Sequence, residues 1–485
     1  MYFSSLEIKN IKCFGDVQTL DLKDSTGAIS PWTLILGDNG IGKTTLLKCL
    51  AWMTPVEAPK KEEDKVMIAA KKLIKAGIAI ETISETTGLT IEELNLEPND
   101  EDESKVKIKP LMDDFEENSE YEKWLRLGDD IEANIKATFS NGVSLKKTPT
   151  PVDLVMIGMD FEKVNGELKK VDPIIGGLAE FNSLNLFAYG ASRHMALKNF
   201  DKNELKNPTY NLFSDSADLY DAEQLLSILD TASIRKNRKG KATKLLKKVK
   251  QILSDLLPDI DNPDCIIIHS PLKEDGSPNH ILVEIQTLYG KVALNNLSLG
   301  YQTMLAWMVD LALRMLWRNP DSSNPLHEPA VVIVDEIDLH LHPKWQRKIR
   351  QDLTYHFKNT QFICTAHSPF MAQDAIIENL CVINQTEGKI RIENEPNVVK
   401  GWRIGQIATS DLFDIPSERS QSIEDDINKR RSILDKQNRS AKDERDLKLL
   451  NAKLAKLPVN ISDSKEDLRL FEKLEKMSEL FESKK

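Results

Sequence analysis

The stretch GDNGIGKT, residues 37–44, sets three glycines ahead of a lysine and a threonine. Those residue types at that spacing can bind phosphate. Gly37, Gly40 and Gly42 let the backbone curl so that successive N–H groups converge on the α- and β-phosphates of a nucleotide. Lys43 can reach the β- and γ-phosphates, and the Thr44 hydroxyl can ligate Mg²⁺. Asn39 within the stretch and Thr45 directly after it join the expected nucleotide-binding set. A second chemical pair closes VVIVDE, residues 331–336. Asp335 is suited to the Mg²⁺ shell, and Glu336 to polarising an attacking water as general base. ATP and Mg²⁺ are therefore the cofactors expected.

Both sets need strands to present them. TLILG (33–37), AVVIVDE (330–336) and TQFICTAHS (360–368) are continuous apolar runs ending in polar residues, the pattern of parallel strands buried on both faces. TTLLKCLAWM after the first run has helical spacing. So has YQTMLAWMVDLALRMLW (301–317), with Leu305, Met308, Leu311, Ala312 and Met315 on one face. An α/β core thus draws on both ends of the chain, residues 1–56 and 291–400. Between them lie an inserted region (57–180), expected to be mainly helical, and a helical lobe with a basic segment (181–290). Within the insertion, residues 79–96 read as two short helices around a glycine. RKNRKGKATKLLKKVK at 235–250 could be a solvated helix face or a contact to phosphate backbone through Lys239, Lys241, Lys244 and Lys247. Residues 401–485 read as a helical C-terminal, partner-binding region.

Bulk composition narrows the class. The 485 residues are 40% hydrophobic and 29% charged with a net charge of −11, an ordinary globular balance that argues against a coat of nucleic acid. Cys13, Cys49, Cys265, Cys364 and Cys381 lack CxxC spacing and suit reduced thiols in a cytoplasmic protein. No run is long and apolar enough to predict a membrane span. His340 and His342 share a spacing that suits zinc, but no cysteine or carboxylate cluster joins them.

NLSLGYQ (296–302) carries the resemblance further. Ser298 and Gly300 stand where LSGGQ-type loops of the ABC ATPase superfamily place a hydroxyl and an amide at a helix N-terminus; Leu299 and Tyr301 replace the commoner residues. EIDLHLHP (336–343) resembles a D-loop and includes Asp338, while TAHSP places His367 where that superfamily has a histidine on the γ-phosphate. YGASR (189–193) resembles a segment that would bring Arg193 to the nucleotide or a dimer interface. With SLEIKNIKCFGD at the start, the chain resembles the RecF/SMC/OLD-like ATPases. This implies an ABC-type head of mixed or parallel sheet with flanking helices, a mainly helical inserted lobe and a helical C-terminal appendage. GWRIGQIATSDLFDIPSERS (401–420) resembles Septu-type PtuA ATPases of anti-phage defence. That resemblance implies a head-to-tail homodimer or larger even-numbered oligomer, with Ser298 and Gly300 reaching the partner's nucleotide. It also implies an HNH nuclease partner similar to PtuB, sometimes beside DNA or a retron reverse transcriptase with its DNA. No nuclease centre is recognised in the chain itself. Two alternatives stay open: a RecF-like repair ATPase that clamps DNA, and an ATP-binding scaffold with little turnover.

Overall fold

A computed structural model describes residues 1–57, 108–111, 132–140, 154–164, 167–170, 174–176, 184–193, 208–215, 219–235, 240–257, 262–272, 282–375, 380–394, 401–410, 419–436 and 438–457, with isolated positions between them. The two-helix pattern at 79–96, Lys239 and residues 458–485 lie outside the described residues.

Six strands form the central sheet, in the order Leu186–Tyr189, Ala330–Val334, Thr360–Thr365, Trp32–Gly37, Leu380–Thr386 and Lys389–Asn394. The first five run parallel and the last returns antiparallel. The apolar character of Trp32–Gly37 and Ala330–Val334 has a cause on each face. Trp32, Leu34, Leu36, Val332 and Val334 meet a core built with the helices Ala222–Arg235, Lys241–Leu256 and Leu299–Arg318. Ile35, Val331 and Ile333 face the opposite core, which includes Leu46, Leu47 and Leu50 of the helix Lys43–Trp52. Side chains alternate along each strand, so burial on both faces demands apolar residues at every position.

A second, antiparallel sheet covers that opposite face, in the order Gln18–Asp21, Tyr2–Lys9, Ala133–Ser140, Leu154–Val164 and Glu167–Lys170. Ile174–Gly176 also pairs with Leu154–Val164. Between 57 and 180, then, the described residues form strands where mainly helix was expected. ANIKATFS at 133–140 alternates buried and partly exposed side chains, a period-two signal that its charged flanks obscure in the sequence. Gln361 ties the two sheets together. Its fully buried side chain accepts from Phe3 N–H at 2.9 Å and donates to Phe3 C=O at 2.9 Å.

The helix Leu299–Arg318 is buried more widely than its expected apolar stripe, with every residue from Thr303 to Leu313 inside. It packs against both Ala222–Arg235 and Lys241–Leu256. Burial all round forces an answer for Asp310, which is wholly inaccessible. Tyr189 Oη donates to its Oδ2 at 2.8 Å and Arg314 Nε, one turn on, donates to the same oxygen at 2.7 Å. The carboxylate therefore links this helix to the strand Leu186–Tyr189.

The helix Lys241–Leu256 buries Leu245, Leu246, Val249, Ile252, Leu253 and Leu256 and exposes Lys241, Lys244 and Lys247. Lys241 donates to Pro320 C=O at 2.6 Å and lies 3.8 Å from Asp321. Lys250 turns inward to Ile266 C=O at 2.6 Å. No helix of the described residues is long and apolar enough to cross a membrane.

The chain divides into Met1–Phe413 and Asp414–Lys485. Ile407 is buried in the first unit's core, and Leu412 and Phe413 pack against it. The boundary thus falls near 414, not 401. In the second unit the helices Gln421–Leu434 and Ala441–Leu454 meet around Ile433, Leu447 and Leu450. Ser440 and Asp443 form a capping box at the second helix, satisfying N–H groups that the first turn leaves without helical partners.

Candidate nucleotide site

The phosphate-binding turn joins the strand Trp32–Gly37 to the helix Lys43–Trp52. Gly37, Gly40 and Gly42 have φ of 144°, 76° and 108°, values that side chains other than glycine's rarely allow. A methyl on Gly42 would lie 2.6 Å from Cys13 Sγ and 2.7 Å from the Phe14 ring; one on Gly40 meets nothing within 4 Å. The turn around Cys13 and Phe14 therefore walls one side of the loop, and the Gly40 side is open. Neither wall residue carries phosphate chemistry, so the motif gave no sign of them. Lys43 is buried, and its Nζ donates to Gly37 C=O and Asp38 C=O at 2.7 Å each. Burial lowers its pKa from the ordinary lysine range; Asp335 and Glu336 oppose that shift. Asn39 and Thr44 are exposed at the loop, while Thr45 is buried beneath it.

Folding brings the acidic pair to this loop across 291 positions of the sequence. Thr44 Oγ1 donates to Asp335 Oδ2 at 2.7 Å, and Thr365 Oγ1 donates to Asp335 Oδ1 at 2.5 Å. A hydroxyl and a carboxylate in contact at the start of a phosphate-loop helix are the oxygen donors that Mg²⁺ prefers. The residues thus fit the chemistry of the cation expected from the sequence. Glu336 is partly exposed and has φ 46°.

The remaining loops meet at the same edge. Ser298 is the exposed N-cap of Leu299–Arg318 and makes no capping bond with its side chain. Gly300 is buried against the loop after Glu336, where a methyl would lie 2.4 Å from His340 C=O. Asp338, 9% exposed, accepts the His367 backbone N–H at 3.0 Å. Its role within the chain is to hold the two loops in register, and the His367 side chain stays partly exposed. Gln346 adds a brace: its Nε2 donates to Leu341 C=O at 3.0 Å, and its Oε1 accepts from Ser368 Oγ at 2.6 Å. His342 caps the short helix Pro343–Gln346, and no cluster of three metal-ligating side chains occurs among the described residues. Arg193, expected near the nucleotide or an interface, is only 2% exposed and lies beneath the acidic pair. Thr365, Gln346 and Ser368 have roles that their residue types do not signal in the sequence, because each acts by bracing backbone or a neighbouring side chain.

Glu223, whose side chain meets Asn295 just before the signature-like turn, supplies a pH test. It is buried, and burial, with the Asp221 carboxylate adding, pushes its carboxyl up to about 7 against a hydrogen bond from Asn295. Between pH 4.5 and 7 the folded chain binds this proton more firmly than the unfolded chain, so the group's contribution to stability falls as pH rises. Glu223→Gln is expected to raise the melting temperature at pH 8, where the wild-type side chain is ionised, and to leave it nearly unchanged at pH 5. Thermal unfolding followed by circular dichroism at both values is the check; equal shifts at both would show that the carboxyl is not the cause.

A family model described as the AAA ATPase domain matches residues 1–372. Over 102 residues the chain is 40% identical to "Retron Vc95 probable ATPase" of Vibrio cholerae serotype O1 biovar El Tor, covering 21% of this chain and 20% of that one. Over 415 residues it is 23% identical to the Septu protein PtuA of Bacillus mycoides strain KBAB4, covering 85% of this chain and 45% of that one. The chain spans less than half the length of these curated relatives. Among solved structures, an Smc head bound to the C-winged helix domain of ScpA aligns with a TM-score of 0.40 at 14% identity, covering 81% of this chain and 98% of that one. With the match running through the glycine turn, the acidic strand end and the histidine loop, the chain belongs to the AAA ATPase domain family.

Proposed function

We propose that the chain hydrolyses ATP with Mg²⁺ as a head-to-tail dimer or larger even-numbered assembly in the cytoplasm. Its nucleotide state then controls an HNH nuclease partner in anti-phage defence. The carrying observation is the junction of Thr44, Asp335 and Thr365, which unites a phosphate loop and an acidic strand end 291 positions apart in the sequence. Lys43 and the loop amides would hold the triphosphate. Thr44 and Asp335 would hold the cation, which supplies charge neutralisation at the phosphates when bound. Glu336 would align and deprotonate water, with His367 at the γ-phosphate side. Similarity to retron and Septu proteins supports the defence setting, and the two-helix unit after residue 413 offers a surface for the partner.

The test is co-purification of the tagged chain with a candidate HNH nuclease of the PtuB type, together with phosphate release and its loss on chelation of Mg²⁺. A stable complex whose nuclease activity changes with nucleotide is expected. The exposed Lys241, Lys244 and Lys247 favour one rival, direct clamping of DNA. Salt-sensitive DNA binding by the chain alone, lost when these three lysines become glutamine, with no nuclease partner bound, would replace the proposal with that rival.

A further inference from the structure

We infer that Arg193 is a positioning residue for Glu336, holding the backbone on either side of the general base; this rests on the ATPase reading above. Glu336 sits in the left-handed region at φ 46°, which a residue with a side chain occupies only when its surroundings hold it there. Arg193 and Thr365 supply that hold, together with Leu339 N–H, which donates to Glu336 C=O at 3.0 Å. Arg193 Nη1 donates to Asp335 C=O, and its Nη2 donates to Glu336 C=O at 2.9 Å. From the other side Thr365 Oγ1 accepts Glu336 N–H at 2.7 Å, and Thr365 C=O accepts Ile337 N–H at 2.9 Å. Both peptide groups adjoining the Glu336 Cα are thus bonded at both of their polar ends.

Arg193 is itself fixed. Its Nη1 also donates to Gly190 C=O at 2.7 Å, and Gly190 N–H donates to Asn211 Oδ1 at 2.8 Å. Gly190 has no room for a side chain, since a methyl would lie 2.5 Å from Asn211 C=O. One planar guanidinium reaches three carbonyls; an ammonium on the flexible lysine stem cannot reproduce that fork. The preceding residue on the strand, Tyr189, holds Asp310 of the signature-like helix. Arg193 therefore stands at the end of a bonded path from that helix to Glu336. Burial brings its pKa down to about 10, so it stays a cation at neutral pH.

The experiment compares full-length wild type, Arg193→Lys and Arg193→Gln for kcat, KM, affinity for a fluorescent ATP analogue and thermal unfolding. With the phosphate loop untouched, KM and affinity are expected to stay within about threefold, while kcat falls on the order of 30-fold or more in both variants. A folded Arg193→Lys with kcat within about twofold of wild type would overturn the inference. So would parallel losses of kcat, affinity and melting temperature, which would mark a purely structural role. If Arg193→Gln does not fold, Arg193→Lys alone decides. Absence of turnover in the wild type would instead remove the ATPase reading, and this inference with it.

Discussion

Glu336→Gln is expected to lower steady-state ATP hydrolysis on the order of 100-fold or more while leaving ATP binding within about twofold. The substitution keeps the size and planarity of the side chain. It alters neither backbone bond to Arg193 or Thr365, because those bonds engage the Glu336 main chain. Lys43, Thr44 and Asp335 remain as they are. What disappears is an acceptor able to take a proton from water, since an amide oxygen is far less basic than a carboxylate. Phosphate release measured beside equilibrium binding of a fluorescent ATP analogue separates the two quantities. Equal turnover in both proteins would remove Glu336 from the chemistry, and no turnover in either would favour the scaffold alternative.

That prediction could be framed from sequence because the chemistry-bearing residues sit in short stretches whose meaning is local. GDNGIGKT needs no distant information: its glycines imply the positive φ values that Gly37, Gly40 and Gly42 adopt. Three of the six central strands, Trp32–Gly37, Ala330–Val334 and Thr360–Thr365, were equally legible, since burial on both faces leaves nearly unbroken apolar runs. What bridges distant parts of the chain was not. Gln361 reads as a polar residue at the start of a strand, and nothing near it signals the Phe3 backbone it bonds. Thr365 lies two positions before His367 in TAHSP, and only the histidine has explicit chemistry. Arg193 stands out in YGASR, but its partners are main-chain carbonyls 142 and 143 positions away. The strand Ala133–Ser140 shows the converse difficulty. Its alternation is present, yet eight residues between charged stretches compete poorly with the helical character of the surroundings.

The second large effect concerns how two chains would share a site. Ser298 is the exposed N-cap of the helix Leu299–Arg318 and its side chain makes no capping bond, so Ser298→Glu leaves the loop after Glu336 in place and alters only what the helix tip presents to a neighbouring chain. A carboxylate there would repel a triphosphate held by that neighbour. A chain with Ser298→Glu is expected to bind ATP, because its phosphate loop is intact, yet to turn over on the order of 100-fold more slowly as a homodimer. Lys43→Ala is expected to be inactive for the complementary reason, with its helix tip intact and its phosphate loop disabled. Co-expressing the two under different tags and isolating the mixed pair then gives a decisive count. If each site combines one chain's loop with the other's helix tip, one site pairs two damaged halves and the other pairs two sound ones. The mixed pair should recover about half of wild-type turnover by the symmetry of a two-site dimer. If each site is completed within its own chain, every site in the mixed pair contains one damaged half, and turnover should remain at the level of the inactive parents. Failure to isolate any mixed pair in the presence of ATP would remove the dimer itself.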